Sequence, residues 1–212
     1  MKSIRAIFAR HGEAQGQGKI AKGRKDLPLD ARGHREARQM GRDIAKLKPD
    51  VVVTSPLKRA KVPAQEIAKR AGVPLKVNKG LLPWDFGDWT GKPQSEIHPK
   101  LRDLWQNHPD KPIPGGESFN HSVKAEKKGI LQALHSGKRP AVVTHSRNLR
   151  QLPHALFGKP TGDPTKGGPE PGQYEILTQG GKLIHGSKNK TQDEADSKRP
   201  NHGAYRAARS AR

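Results

Sequence analysis

Two arginines and two histidines carry the strongest chemical signal in this sequence: Arg10, His11, Arg59 and His145. Arg10-His11-Gly12 directly follows the apolar stretch 4–9, and His145 directly follows Ala141-Val142-Val143-Thr144. Arg59 comes just after Val51-Val52-Val53-Thr54. A single arginine or histidine of this kind is ordinarily a surface charge or a satisfied side chain. Three at equivalent strand ends form a pattern, because in open α/β sheets ligands bind outside the carboxyl ends of the strands. An arginine fork matches phosphate oxygens in a bidentate way. A neutral imidazole can attack as a nucleophile, and a second one can donate to a phosphoryl oxygen. Phosphoryl transfer needs mostly positioning and charge neutralisation, and this set supplies both without a metal.

The elements that must position these groups are legible in outline. Residues 4–9 read as a first strand, 51–54 as a short buried strand, 73–77 as a third and 141–144 as another. Apolar residues at Ala37, Met40, Ile44 and Leu47 mark a helical face between His34 and Leu47. Ser55-Pro56 has the chemistry of a helix cap and first residue. Pro63 then requires a kink or a later start. Ser118 is expected to cap a helix reaching about His135, and a helix with Leu149, Leu152 and Leu156 is expected to bend at Pro153. Tyr174–Thr178 and Lys182–Ile184 form a candidate hairpin around Gly180-Gly181. Residues 78–116, rich in Gly, Pro and Trp, show little regular pattern and read as a functional loop or lid. Strands alternating with helices predict a three-layer α/β/α sandwich with a mainly parallel central sheet. Residues 1–186 are expected to form one catalytic domain. Residues 187–212 are polar, basic and without periodicity, and are expected to be a disordered tail.

Composition narrows the function classes. The 212 residues hold no cysteine, which excludes thiol catalysis, disulfides and cysteine zinc sites. No apolar run approaches the roughly 20 residues of a membrane helix, and the N-terminal stretch is broken by Arg5. A soluble, cytoplasmic protein is therefore expected, with no membrane partner. The formal net charge is +21. Residues 1–157 hold 31 basic and 14 acidic side chains, so the excess is not a tail property alone. Such a field attracts phosphate esters and nucleic acid alike and does not choose between them. His98, His108, His121 and His135 lack metal-ligand spacing, and no metal or cofactor is expected. Gly162–Gly168 lacks the ending of a phosphate-binding loop. Trp84, Trp89 and Trp105 suit either a pocket wall or the core.

Six segments, in order along residues 4 to about 157, give the chain a resemblance to a known family. Arg10-His11-Gly12-Glu13 matches the Arg-His-Gly-Glu signature of the histidine phosphatase (phosphoglycerate-mutase-like) superfamily. Segments 26–33, 54–60, 86–91, 114–118 and 143–146 resemble its D-x-P-L-T-x-x-G, S-P-L-x-R-A, F-G-x-W-E-G, P-G-G-E-S and second-histidine segments. The resemblance implies a phosphoglycerate-mutase-like fold. It also implies a metal-independent phosphatase that hydrolyses small phosphomonoesters through a phosphohistidine on His11. Arg10 and Arg59 would grip the phosphoryl oxygens, and His145 would stabilise the group in flight. The family's acid position, four residues before the glycine of F-G-x-W, is Pro83 here. Asp85 is the replacement candidate and Glu117 the second choice, with Glu117, Ser146 and Gln17 as further substrate-binding candidates. A mutase of the same family is the alternative enzyme. A catalytically weak homologue that binds nucleic acid or another polyanion is the alternative non-enzyme.

Overall fold

The computed structural model describes residues 3–186. The expected tail, 187–212, lies outside the described residues. A sheet of six strands organises them: β1 (Ile4–Arg10), β2 (Val51–Thr54), β3 (Leu75–Val77), β4 (Pro140–Thr144), β5 (Tyr174–Thr178) and β6 (Leu183–His185). Its order is β3-β2-β4-β1-β5-β6. The first four are parallel, while β5 and β6 run antiparallel on one edge. The mainly parallel α/β sandwich expected from the sequence is the observed fold.

Alternating side chains of the strands feed two separate cores. Ala6, Phe8, Val53 and Val142 pack on one face against α4 (Phe119–Leu134), α5 (Ser146–Arg150) and α6 (Leu152–Phe157). Ile7, Ala9, Val52 and Val143 pack on the other against α1 (Ala31–Ala45) and α2 (Lys58–Ala71). A sheet buried on both faces has to be apolar at consecutive positions, which explains the runs of valine. A third cluster, with Trp84, Ile97, Leu101, Leu104, Ile113 and Phe119, lies under the segment that connects β3 to α4.

That segment overturns the expectation of an irregular loop at 78–116. It contains α3 (Gln94–Asn107), a 14-residue helix that buries Ile97, Leu101 and Leu104. Their spacing of four and three is helical, but Pro93 before the helix and Pro99 inside it masked the signal. Other boundaries shift as well. Helix α1 starts at Ala31, because Asp30 accepts a hydrogen bond from Gly33 N at 2.7 Å. Ser55-Pro56 does not open α2. The helix begins at Lys58, later than Pro56 as one of the two expectations had it, yet still runs through Pro63 to Gly72 in the left-handed region. The break after α5 falls at Gln151 and not at Pro153, which lies in the first turn of α6. Among the described residues no helix is long and apolar enough to cross a membrane.

Candidate active site

The strand register sets the site. Arg10 of β1 is level with Thr144 of β4, and Thr54 of β2 is level with Val143. The next residues, His11, His145 and Ser55, therefore emerge side by side at the carboxyl ends of the adjacent parallel strands β1, β4 and β2. The His11 and His145 rings lie 5.1 Å apart, edge to face. A cavity of about 210 Å³ opens here. Arg10, His11, Arg59, His145, Ser146 and Gln17 all line it. So do Lys22, His98, Arg147 and Arg150, which the sequence reasoning missed. Arg147 and Arg150 follow His145 on α5, so the strand-end rule could have found them. Lys22 has no comparable signal.

Backbone carbonyls hold His11 and the two arginines. Nδ1 of His11 lies 2.6 Å from the carbonyl oxygen of Gly12. A carbonyl only accepts, so Nδ1 carries the proton and Nε2 the lone pair. Burial first, then the charge of Arg59, hold His11 well below its ordinary pKa, so the ring is neutral at pH 7. His145 is depressed by the same causes. Its Nε2 lies 2.8 Å from Ser55 Oγ, while its buried Nδ1 has no hydrogen-bond partner. Arg59 donates to the carbonyls of Lys25 (2.6 Å) and Gly23 (2.9 Å), and Arg10 to that of Pro169 (2.9 Å). The Nε atoms of both arginines are buried without a partner, as is Ser146 Oγ. Burial lowers the Arg59 pKa to about 10. Burial and then the neighbouring Arg10 and Arg147 bring Arg150 to about 10.

The loop after β1 is fixed by close approach to α1. A Cβ on Gly33 would stand 1.9 Å from the carbonyl oxygen of Glu13, and one on Gly12 would stand 2.6 Å from that of Gly33. Glu36 of α1 accepts from Glu13 N at 2.7 Å. Only glycines let the two backbones pack this closely, and the packing presents His11.

The two carboxylates considered as the acid are both engaged by one arginine. Asp85 Oδ2 and Glu117 Oε1 are both paired with Arg24, at 3.2 and 2.6 Å. Asp85 also accepts from Gly87 N at 3.1 Å. Neither is among the residues lining the cavity, whereas Pro83, at the family's acid position, does line it. Among the described residues, no group of three or more histidine, aspartate or glutamate side chains could hold a metal ion. Trp84 is both core and wall: it packs edge to face on Phe119, and the Arg147 guanidinium lies 4.5 Å from its ring.

The family model of the histidine phosphatase superfamily (branch 1) matches residues 6–184. The chain belongs to that superfamily. An uncharacterised phosphatase, PhoE, of Bacillus subtilis is 29% identical over 160 residues, covering 74% of this chain and 78% of that one. A 2,3-bisphosphoglycerate-dependent phosphoglycerate mutase of a Chelativorans species is 32% identical over 166 residues, covering 72% and 81%. The fold matches that of a mycobacterial glucosyl-3-phosphoglycerate phosphatase with a TM-score of 0.71. The identity to it is 22%, over 88% of this chain and 98% of that one. Phosphatases and mutases thus both occur among its relatives.

Proposed function

We propose that this chain hydrolyses small phosphomonoesters through a phosphohistidine formed on His11. The observation that carries the reading is the state of His11: a buried, neutral ring whose Nδ1 proton is tied to the Gly12 carbonyl, so that Nε2 is the nucleophilic atom. Arg10 and Arg59, anchored through their NH groups to main-chain carbonyls, are pre-placed to donate to the phosphoryl oxygens without reorganising. Ser55 Oγ takes a long contact from Leu57 N (3.4 Å) and lies 2.8 Å from Nε2 of His145, to which, in this reading, it gives its proton. That leaves the unpartnered Nδ1–H of His145 to donate to the phosphoryl group. Burial lowers the pKa of Arg59, and burial with the charges of Arg10 and Arg147 lowers that of Arg150; a bound anion offsets both costs.

The test is turnover of p-nitrophenyl phosphate in EDTA by the wild type and His11→Ala. The reading expects activity that survives EDTA and is lost in the variant. Activity retained by His11→Ala sinks it. The mutase relatives favour one further arm. Adding an acceptor alcohol to the assay separates hydrolysis, which releases one phosphate per nitrophenol, from transfer, which releases less.

A further inference from the structure

Hydrolysis of an ordinary ester needs a proton for the leaving oxygen, and the cavity wall supplies no carboxylate. Among the described residues, those lining it include no aspartate or glutamate. His11 and His145 are committed to phosphorus and its oxygens, and arginines do not give up a proton. Two groups remain, His98 of α3 and Lys22 of the loop between β1 and α1. His98 is held below its ordinary pKa by burial, then by Arg150 and Arg102, against the opposing charge of Asp163. It carries little proton to donate at neutral pH. Lys22 is half-buried, and its Nζ donates to Gln17 Oε1, another residue of the cavity wall.

Resting on the phosphatase reading above, we propose that Lys22 is the general acid and base of the reaction, in place of the carboxylate that the cavity lacks. In the first step the His11 Nε2–P bond forms and the bond from phosphorus to the ester oxygen breaks. A proton of the Lys22 ammonium passes to that oxygen, and the alcohol leaves. In the second step a water oxygen attacks phosphorus and the Nε2–P bond breaks. The neutral Lys22 amine takes the proton from the water, which restores ammonium, imidazole and inorganic phosphate. The site suits both halves. Burial, Arg59 and Arg10 lower the Lys22 pKa, while Glu13 and Asp30 oppose them, for a balance of about 8. The group is charged at pH 7 yet gives up its proton far more readily than a solvated lysine. None of these neighbours offers a competing proton at the cavity wall, because Glu13 and Asp30 do not line it.

The experiment compares p-nitrophenyl phosphate, whose leaving group needs little protonation, with phenyl phosphate, whose leaving group needs more. The proteins are the wild type, Lys22→Met, Lys22→Arg and His98→Gln, each checked for folding by thermal melting. Lys22→Arg keeps the charge but cannot release a proton. Both lysine variants are expected to lose about 100-fold in kcat/KM on phenyl phosphate, the scale of general acid catalysis, and about threefold or less on the nitrophenyl ester. The wild-type decline in phenyl phosphate turnover above about pH 8 should disappear in both. Equal losses on the two esters, full rescue by arginine, or a leaving-group-selective loss in His98→Gln instead would overturn the proposal. His11→Ala separates this failure from failure of the phosphatase reading. If it keeps wild-type activity the whole mechanism falls, whereas if it is dead and Lys22 is indifferent only the lysine assignment falls.

Discussion

The ends of the parallel strands and the segment before α4 both place charged side chains near the cavity, but by different means. At the strand ends, sheet register fixes His11, His145 and Ser55 side by side, and backbone carbonyls hold Arg10 and Arg59. In the other region, Asp85 and Glu117 are placed by a loop folding on a loop. They are absorbed by Arg24, with Glu117 N bonded to the Asp85 carbonyl at 3.3 Å. The first region is a preorganised cation cluster waiting for an anion. The second is an ion cluster whose two carboxylates are already paired with Arg24, with Glu117 Oε2 left buried and without a partner. Closeness in sequence to the active-site segments therefore did not bring either carboxylate to the cavity wall.

Changes at the strand ends should cost most. Arg59→Lys keeps the charge but loses the fork, and is expected to lower kcat/KM for p-nitrophenyl phosphate by about 10²–10³-fold. A loss under tenfold would mean that Arg59 is not aimed at the phosphoryl group. Gly33→Ala tests the support behind His11. Its Cβ meets backbone at 1.9 Å, so chemical denaturation should show about 1–3 kcal/mol of lost stability, the ordinary cost of overpacking. A neutral result would show that the two backbones can part cheaply.

The Arg24 cluster should matter least. Asp85→Asn and Glu117→Gln are each expected to leave turnover within about threefold. Their effect on stability should be about 1 kcal/mol or less, because the groups are partly exposed and the pair with Asp85 is screened by water. A 100-fold loss on phenyl phosphate in Asp85→Asn would erase the contrast between the regions. Acid should expose a subtler difference. His11 and His145 are buried neutral, so the unfolded chain binds more protons below the ordinary histidine value of about 6.5. Stability should then fall as pH drops below that value. Glu126, raised by burial, acts in the opposite sense, gaining stability as pH falls through its raised value. Removing the His145 ring in His145→Asn should flatten the decline between pH 6.5 and 5.5, and an unchanged slope would mean that the folded ring protonates freely.

Much of this arrangement could be read from residue order. The runs at 51–54 and 141–144 are buried at every position, and apolar up to their closing threonines, because both faces of the sheet are covered, so the residues following them had to lie at one edge. The same rule covers Ser55, which with Pro56 reads only as a helix cap, and Arg147 and Arg150, which lie just beyond the second-histidine segment. Helix α3 was hidden by Pro93 and Pro99, although Ile97, Leu101 and Leu104 carry its period. Lys22 and the Arg24 cluster were beyond reach for a different reason. Their positions depend on tertiary packing of irregular loops, for which no short-range periodicity exists. The six ordered segments located the superfamily, but at Pro83 the resemblance identified only which group was missing, and the cavity wall identified which groups remain.

The central claim is that His11 accepts the phosphoryl group. Its most direct test is to mix the protein with excess p-nitrophenyl phosphate, quench with alkali within the first turnovers, and map the phosphorylated residue by mass spectrometry. The account predicts an alkali-stable, acid-labile adduct of one phosphoryl group on His11, absent from His11→Ala. Steady turnover with no adduct on His11, or an adduct on another residue, would contradict it.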